Sequence, residues 1–252
     1  MVADPVILKL EKVDFAYPNG RTVLKEADFS LHAGQKIGLI GHNGSGKSTF
    51  LHVLVGLLQI SGGCIRFFGE PVKTEKDFQK VRRHIGLVFQ NSDDQLFSPT
   101  VLEDVAFGLL NQGTSGDQAR EISRKMLADL DLEAFEDRVT YRLSGGEKRL
   151  VSLATVLVMK PRVLLLDEPF TGLDEFTRDH IIDILRQLDI SYIIVSHEYD
   201  SLERTTDIIC SMDQGKIIYN GDSSILHSHF HRHPGGTILH HHNNTDGKPN
   251  AD

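Results

Sequence analysis

The chain has 252 residues, of which 40% are hydrophobic and 25% charged. This balance fits one large α/β domain or two small ones and excludes a wholly disordered or fibrous protein. Its 35 acidic residues outnumber its 27 lysines and arginines, and the formal net charge of −8 argues against a chain that wraps nucleic acid, so we expect no nucleic-acid partner. Histidine is the one compositional bias, because seven of the thirteen lie beyond position 226.

The first residues do not combine a basic segment with a continuous apolar one, so they do not read as a secretory signal. No run approaches the ~20 apolar residues that a membrane-spanning helix needs. The sequence therefore predicts a soluble or peripheral protein. Cys64 and Cys210 each lie alone in an apolar, strand-like run, which predicts two buried, reduced thiols and a reducing compartment such as the cytoplasm.

Apolar periodicity places the elements in chain order. Alternation over 6–17 and 22–31 around a Pro-Asn-Gly turn predicts an antiparallel hairpin, and the apolar run at 37–40 leads through a glycine-rich turn into a helix from 47 to about 57. Strands are predicted at 64–68, 84–89, 163–167, 192–196, 207–212 and 216–219, with three helical segments between about 101 and 160 and a helix at 175–188. Strands that alternate with helices predict an α/β fold with a doubly wound parallel sheet.

These elements divide the chain into two regions. We expect one folded domain over 1–226, with a helical subdomain at about 91–160. Beyond it, the composition shifts to His, Asn, Gly and Asp, which predicts a flexible histidine-rich tail over 227–252.

Residues 41–48 read GHNGSGKS and match the phosphate-binding pattern G-x-x-x-x-G-K-[ST], between a predicted strand and a predicted helix. Glycines let the backbone curl so that successive N–H groups point at phosphate oxygens, and the helix adds its positive end. Lys47 is suited to bridge the β- and γ-phosphates, and the Ser48 hydroxyl is suited to Mg²⁺. The alternative is an ordinary glycine-rich turn. The residues expected to contact nucleotide here are Gly41, His42, Asn43, Gly44, Ser45, Gly46, Lys47, Ser48 and Thr49.

The apolar run VLLLDE at 163–168 ends in two adjacent carboxylates. Neighbouring residues of a strand point to opposite faces, so the two are not expected to share one structural ion pair. Asp167 is placed to hold Mg²⁺ through water. Glu168 is placed to orient and polarise a water aimed at the γ-phosphate, which is a general-base role in ATP hydrolysis.

A family resemblance rests on several elements that occur in one order: Tyr17, GHNGSGKST at 41–49, Gln90, LSGGE at 143–147, and LLLDEP at 164–169 with Asp174 and His197 following. Over about residues 6–225 the chain resembles the ATP-binding subunits of ABC transporters. The resemblance implies an α/β P-loop NTPase core with a parallel sheet, an N-terminal antiparallel β subdomain and a helical subdomain. It also implies an ATPase that uses ATP and Mg²⁺.

The resemblance assigns roles to three residues around the nucleotide. Tyr17 is the aromatic that stacks on adenine, although a core or edge tyrosine is the plainer interpretation. Gln90 is the glutamine that senses Mg²⁺ and the attacking water, with a polar strand end as the alternative. His197 is the switch histidine that contacts the γ-phosphate, where a structural histidine is the alternative.

The segment LSGGE at 143–147, called the signature segment below, implies a second chain. Ser144 follows Lys47 by 97 positions (144 − 47), and in the family Ser144, Gly145 and Gly146 face the partner's nucleotide while Asp174 crosses the interface. We therefore expect a head-to-tail dimer, with a homodimer favoured and a pair of two related chains as the alternative. Ser144 and Glu147 also have the spacing of a helix-capping box, and both interpretations can hold together. The signature departs from the commoner LSGGQ, with little expected loss.

The branch of the family follows from what the chain lacks and from one segment. One motif set per chain excludes a fused pair, and 97 positions are too few for the long coiled-coil insertion of chromosome-maintenance ATPases. A transporter ATPase would need separate integral membrane coupling and substrate-binding subunits, at the cytoplasmic face of the membrane. The segment NSDDQLF after Gln90 resembles energy-coupling-factor importers of vitamins and of cobalt or nickel ions. Asp93 and Asp94 are candidates to meet a basic coupling helix, or they form a solvated turn.

The clustered histidines favour a metal within that branch. Imidazole is a good ligand for Ni²⁺, Co²⁺, Zn²⁺ and Cu²⁺. The hypothesis is a nickel or cobalt importer whose tail buffers the imported ion. The alternatives are a tail without a role, a remnant of an expression vector, a vitamin importer, a soluble ATPase that remodels an assembly, and a metal-sequestering module on a vestigial fold. The candidate ligands are His227, His229, His231, His233, His240, His241 and His242.

Overall fold

The structure, a computed structural model, describes residues 5–223. Its strands are β1 (Val6–Ala16), β2 (Thr22–His32), β3 (Lys36–Ile40), β4 (Gly62–Phe67), β5 (Glu70–Val72), β6 (Ile85–Val88), β7 (Val163–Asp167), β8 (Ser191–Val195), β9 (Ile208–Asp213) and β10 (Lys216–Asp222). Its helices are α1 (Lys47–Leu54), α2 (Glu75–Arg82), α3 (Val101–Asn111), α4 (Gly116–Asp129), α5 (Gly145–Leu157), α6 (Glu175–Gln187) and α7 (Tyr199–Thr205).

The strands form two sheets. The first is antiparallel, with the order β2-β1-β4-β5. The second has the order β10-β9-β3-β8-β7-β6, in which β9, β3, β8, β7 and β6 run parallel and β10 runs antiparallel to β9. The predicted N-terminal hairpin and the predicted parallel sheet are both present, and α3, α4 and α5 lie between β6 and β7 in the chain.

Strand β7 shows why the parallel sheet is apolar on both faces. Val163 and Leu165 pack in the core that the sheet shares with the antiparallel strands and α1. Leu164 and Leu166 pack in the other core, with α3, α5 and α6. Because both faces are covered, all five residues of β7 are buried, and the strand reads as a continuous apolar run instead of an alternating one.

The parallel arrangement brings four strand ends to one edge of the sheet. Leu39 of β3 and Asp167 of β7 both pair with Val195 of β8. Val88 of β6 pairs with Leu166 of β7, so the four strands end at nearly the same level. Ligand sites of open α/β sheets form outside the carboxyl ends of the strands. The residues that the motifs single out lie within two positions of these ends: the loop that begins at Gly41, then Gln90, Glu168 and His197.

Two helices and one strand were not predicted from the sequence. Helix α2 has the sequence EKDFQKVR and buries only Val81, so it gives almost no apolar period. It is stabilised at its first turn instead, by a capping box in which Thr74 and Asp77 bond to each other's backbone N–H. Helix α7 and strand β5 are only 7 and 3 residues long, too short for a periodic signal.

Helix α1 ends earlier than predicted, at Leu54. Gly56 follows with a φ of 70°, the left-handed conformation that commonly ends a helix. A Cβ at Gly56 would lie 2.3 Å from the Phe78 ring, so glycine also permits α2 to pack against this end of α1.

The prediction for the cysteines holds at one position. Cys210 is buried, and burial raises the pKa of its thiol to about 12, which keeps it protonated. The prediction that Cys64 is buried is wrong, since it is half-exposed. Cys64 lies on the face of β4 that carries Arg66, while Ile65 and Phe67 occupy the core face.

Candidate nucleotide and magnesium site

A cavity of about 380 Å³ opens at the carboxyl edge of the parallel sheet. It collects residues from six separate parts of the chain, and most of them are residues that the sequence motifs single out. The lining residues are Tyr17, Arg21, Val23, Asn43, Gly44, Gly46, Lys47, Ser48, Thr49, Gln90, Glu168 and His197.

The loop between β3 and α1 has a conformation that requires glycine at two positions. Gly46, the residue before α1, has a φ of 109°, and a Cβ there would lie 2.4 Å from Val23 Cγ1. Gly41 has a φ of 152°, and its Cβ would lie 2.7 Å from the carbonyl oxygen of Met212. The loop is therefore pressed against β2 and β9, and larger side chains at these positions would open it.

Lys47 is the charged group at the centre of the cavity. Its side chain is buried, and Nζ donates to the carbonyl oxygens of Gly41 at 2.8 Å and His42 at 3.3 Å. Burial lowers the pKa of Lys47, and the charges of Glu168 and Asp167 partly oppose that shift. A partly desolvated cation inside a curled loop binds phosphate strongly, because little water remains to be removed.

Asp167, the last residue of β7, fits a magnesium ion. Its side chain is buried behind the cavity, and Oδ1 has no hydrogen-bond partner among the described residues. Burial raises the pKa of Asp167, while the Ser48 hydroxyl and the nearby charges of His52, Lys47 and Arg149 lower it. A buried carboxylate oxygen without a partner beside a hydroxyl is a donor set that suits Mg²⁺, which takes one or two protein oxygens and otherwise water and phosphate.

Glu168 lies immediately after β7 and does not continue the strand. Its φ is 49°, a left-handed conformation that is rare for a residue other than glycine, so the strand alternation used in the sequence argument does not apply to it. The carboxylate is buried and accepts a hydrogen bond from Thr171 Oγ1 at 3.1 Å on Oε2. Its other oxygen lies 3.1 Å from His197 Nε2. The strained backbone turns this carboxylate into the cavity.

His197 joins the two charged groups of the cavity. Its Nε2 lies 3.3 Å from Lys47 Nζ and 3.1 Å from Glu168 Oε1. With a proton on Nε2 the ring donates to Glu168, and without it the ring accepts from Lys47. The imidazole therefore contacts both the cation of the phosphate-binding loop and the Glu168 carboxylate.

Two lining residues were missed by the sequence analysis, Arg21 and Val23. Arg21 Nη2 donates to the carbonyl oxygen of Gly44 at 2.9 Å, and the Arg21 carbonyl accepts from the N–H of Tyr17. The hairpin register was the signal that could have found Arg21, because it places Arg21 across the turn from Tyr17. Tyr17 itself is half-buried, packs edge-on against Phe15 and shares a hydrogen bond of 3.0 Å with Thr49.

Three residues of the predicted phosphate-binding loop, Gly41, His42 and Ser45, do not line this cavity. Gly41 and His42 contribute carbonyl oxygens to Lys47, and His42 also lines two neighbouring cavities. Ser45 is buried, and its hydroxyl has no partner among the described residues.

The signature segment lies elsewhere on the surface, at the start of α5. Ser144 caps the helix: its Oγ accepts from the N–H of Glu147 at 3.3 Å, and Glu147 Oε2 accepts from the N–H of Ser144 at 2.7 Å. Ser144 and Gly145 are exposed, and none of the three signature residues lines the Lys47 cavity. An exposed helix N-terminus with small residues can bind an anion from another molecule.

Asp174 lies on the same surface as the signature segment. It caps α6 and accepts from the N–H and the hydroxyl of Thr177, at 2.9 and 2.7 Å, and these bonds lower its pKa. A Cβ at Gly146 would lie 3.0 Å from Thr177 Cγ2, so the starts of α5 and α6 are in close contact. Asp174 and Gly146 thus both contact Thr177, and neither lines the cavity around Lys47.

The predicted transition-metal ligands lie outside the described residues, since all seven are beyond position 226. Within residues 5–223 no group of three or more His, Cys, Asp and Glu side chains is arranged to hold a metal ion. Within the same range no helix is long and apolar enough to cross a membrane.

A phosphate-binding loop between a parallel strand and a helix, with a buried carboxylate at the end of a second parallel strand, defines a P-loop NTPase. The family described as "ABC transporter" matches residues 24–171. A putative ABC transporter ATP-binding protein of Nitratidesulfovibrio vulgaris is 46% identical over 94% of this chain and 86% of its own length. The energy-coupling factor transporter ATP-binding protein EcfA of Methanothermobacter thermautotrophicus is 40% identical over 85% of this chain and 70% of its own length.

Solved structures agree with the sequence relatives. CbiO1 from Clostridium perfringens, described as part of the ABC transporter complex cbiONQ, superposes with a TM-score of 0.78 at 34% identity and covers 89% of this chain and 91% of that one. The ATP-binding cassette MJ0796, a dimer in a post-hydrolysis state with ADP and Pi, gives a TM-score of 0.77 at 26% identity, over 84% and 96%. The chain belongs to the ABC transporter family, and it is an ATP-binding subunit with the ATPase fold predicted from its motifs.

Proposed function

We propose that this chain is the ATP-hydrolysing subunit of an energy-coupling-factor type importer, bound peripherally at the cytoplasmic face of the cell membrane. The identity of 40% with EcfA proteins from several archaea and the fold shared with cbiO1 support this assignment. The observation that carries the ATPase role is the meeting of Lys47 Nζ, His197 Nε2 and Glu168 Oε1 within 3.3 Å at the phosphate-binding loop.

In this proposal the groups at the cavity bind ATP and catalyse its hydrolysis. Lys47 and the loop N–H groups bind the β- and γ-phosphates, and Tyr17 stacks on the adenine. Glu168 accepts a proton from the attacking water as general base. His197 orients the Glu168 carboxylate and contacts the γ-phosphate, so one imidazole ring positions both the general base and the phosphate that is attacked.

Asp167, Ser48 and Gln90 are the proposed magnesium ligands. Asp167 would hold the ion through water with its unpartnered Oδ1, Ser48 would supply its hydroxyl, and Gln90 would supply its amide oxygen. When bound, Mg²⁺ supplies neutralisation of the charge on the β- and γ-phosphate oxygens. Burial at Asp167 favours a ligand that compensates its charge, which is the physical reason for the assignment.

The exposed signature segment supports a head-to-tail homodimer. Ser144, Gly145 and Gly146 would bind the γ-phosphate held by the partner's loop, through the Ser144 hydroxyl and the N-terminal N–H groups of α5. Asp174 would cross the interface beside them. Nucleotide binding would then close the dimer, and hydrolysis with phosphate release would remove the closing contacts.

The surface after Gln90 is the proposed contact for the membrane coupling subunit. Asp93 already pairs with Lys148 at 2.5 Å, whereas the Asp94 carboxylate has no partner among residues 5–223 and is the proposed contact for a basic helix. Phe97 and Phe107 form an edge-to-face pair at 4.7 Å, and both rings are exposed. An acidic residue beside exposed aromatic rings suits a helix with basic and apolar side chains.

Nickel or cobalt is the proposed substrate, on the strength of the histidine cluster beyond position 226. A separate substrate-binding membrane subunit is expected to select the ion. The test is uptake by vesicles that contain this chain and its co-purifying membrane subunits, with Ni²⁺, Co²⁺ and vitamins compared in parallel. ATP-dependent uptake of vitamins alone would overturn the metal assignment, and purification without any membrane subunit would favour an ATPase that remodels a soluble assembly.

A further inference from the structure

Gln90, the proposed magnesium ligand, is not held by its own strand alone. It lies two residues beyond β6, in an exposed loop that runs over α5. The loop is tied to α5 by Arg149, Gln95 and Lys148, and these contacts are called the α5 latch below. None of the three residues lines the nucleotide cavity.

Arg149 is the centre of the α5 latch. Its guanidinium donates to two successive backbone carbonyls of the loop, from Nη1 to Phe89 at 2.6 Å and from Nη2 to Gln90 at 2.5 Å. The residue is only 7% exposed, and its Nε has no partner among the described residues. Within residues 5–223 no carboxylate lies close enough to Arg149 to form an ion pair. A buried guanidinium needs acceptors for its N–H groups, so losing the two carbonyls would leave both Nη atoms without hydrogen bonds and only the nearby charge of Asp167 to offset the cation.

Gln95 holds the same loop from its other side. Its Oε1 accepts from the N–H of Phe89 at 3.1 Å, and its Nε2 donates to the carbonyl oxygen of Ser152 at 2.7 Å and to Thr155 Oγ1 at 2.8 Å. Ser152 and Thr155 lie on α5, one and two turns beyond Arg149. The peptide groups on both sides of Phe89 are therefore linked to α5, one directly by Arg149 and the other through Gln95.

The latch connects Gln90 to the signature segment. Helix α5 begins at the signature segment, and Arg149 lies five residues after Ser144, within the same rigid helix (149 − 144). A movement of α5 must therefore carry the carbonyl of Gln90 with it, or break two short hydrogen bonds to a buried charge. The position of α5 would thus determine both the phosphate contact at Ser144 and the metal contact at Gln90.

We propose that Arg149, assisted by Gln95, is a positioning residue that holds Gln90 in register with α5, so that Gln90 reaches the magnesium ion when the signature segment is engaged. Arg149 does not touch nucleotide or metal. The proposal rests on the proposed role of Gln90 in the ATPase site.

A double-mutant cycle in the full-length chain tests the proposal. Arg149→Met should lower kcat for Mg²⁺-ATP hydrolysis about tenfold and raise the Mg²⁺ concentration for half-maximal activity, with the KM for ATP changed less than about threefold. In a Gln90→Ala background the same substitution should change kcat less than about twofold, because its effect passes through Gln90. Arg149→Lys, which can reach one of the two carbonyls, should recover part of kcat.

The controls separate positioning from folding. Arg124→Met removes an exposed arginine of α4 that pairs with Glu136 at 2.9 Å, and it should leave kcat within about twofold. Thermal melting identifies variants that do not fold, and in that event Gln95→Leu carries the same cycle from the other side of the loop.

Two results would overturn the inference. Normal kcat in folded Arg149→Met or Gln95→Leu would show that the latch does not position Gln90. If Arg149→Met lowered kcat by the same factor in the Gln90→Ala background as in the parent, Arg149 would act independently of Gln90. Full activity in Gln90→Ala alone would instead refute the proposed role of Gln90, and the inference with it.

Discussion

Replacing Glu168 by Gln tests the proposed chemistry most directly. The amide has almost the shape of the carboxylate, and its oxygen can still accept the hydrogen bond that Thr171 Oγ1 donates at 3.1 Å. The side chain should stay in place beside His197. What the variant loses is the ability to take a proton from water, so kcat should fall while ATP still binds.

The size of the loss follows from the role. A positioned general base contributes about 10²- to 10⁴-fold to a rate, which is about 2.7 to 5.4 kcal/mol of activation free energy. Glu168 is positioned on both oxygens, by Thr171 and by His197, and its backbone is held at a φ of 49°, so the upper half of that range is expected. A carboxylate that only braced His197 would be worth much less.

The assay is steady-state phosphate release together with the oligomeric state in ATP. Glu168→Gln should form an ATP-dependent dimer that persists because the nucleotide is not hydrolysed, whereas the parent chain should show only a transient dimer. Glu121→Gln, on the exposed surface of α4, is the matched control and should behave as the parent. Phosphate release by Glu168→Gln within about threefold of the parent would refute the general-base assignment.

Three further substitutions, and Thr100→Ala as a control, test other parts of the site. Lys47→Ala should weaken ATP binding by about tenfold or more in calorimetry, because it removes the partly desolvated cation of the loop, and unchanged affinity would sink the phosphate assignment. Asp167→Asn should raise the melting temperature of the metal-free protein near neutral pH. Burial raises the pKa of Asp167, so the charged form is penalised there, and the gain should vanish at low pH, where the parent is itself protonated. The same variant should lose Mg²⁺-dependent hydrolysis. Ser144→Ala and Thr100→Ala each remove the N-cap of a capping box, at a cost of about 1 kcal/mol in chemical denaturation, but only Ser144→Ala should weaken the ATP-dependent dimer.

The sequence predicted the parallel sheet and the phosphate-binding loop well, because both depend on strong local signals. Strand β7 is a run of apolar residues that only a doubly covered strand needs, and the glycines at 41, 44 and 46 have no comparable use in a helix or strand. Helix α2 was missed because its stability comes from a cap at Thr74 and from one buried residue, Val81. Hydrophobic periodicity carries no information about such a helix.

The contacts between distant residues were the part that the sequence could not supply. The predicted hairpin places Arg21 across the turn from Tyr17, but its contact with the Gly44 carbonyl, 23 positions away, depends on how the hairpin packs on the phosphate-binding loop. The link from Arg149 to the carbonyls of Phe89 and Gln90 spans about 60 positions and uses backbone acceptors, which every residue has. No pattern of side chains could have pointed to those acceptors.

The signature segment caps α5, and this role is compatible with the proposed contact to a partner's nucleotide. The Ser144 hydroxyl accepts from the N–H of Glu147, and the Glu147 carboxylate accepts from the N–H of Ser144, so the cap is satisfied without any ligand. Arg138 pairs with both oxygens of Glu147, at 2.8 and 3.4 Å, and lowers its pKa, which offsets a negative charge at the place where a phosphate would bind. Because its hydrogen bonds and charges are satisfied, this cap is stable when exposed to solvent, and the Ser144 hydroxyl can still donate to the partner's nucleotide. An exposed capping box is therefore compatible with a binding surface that is completed only in the dimer.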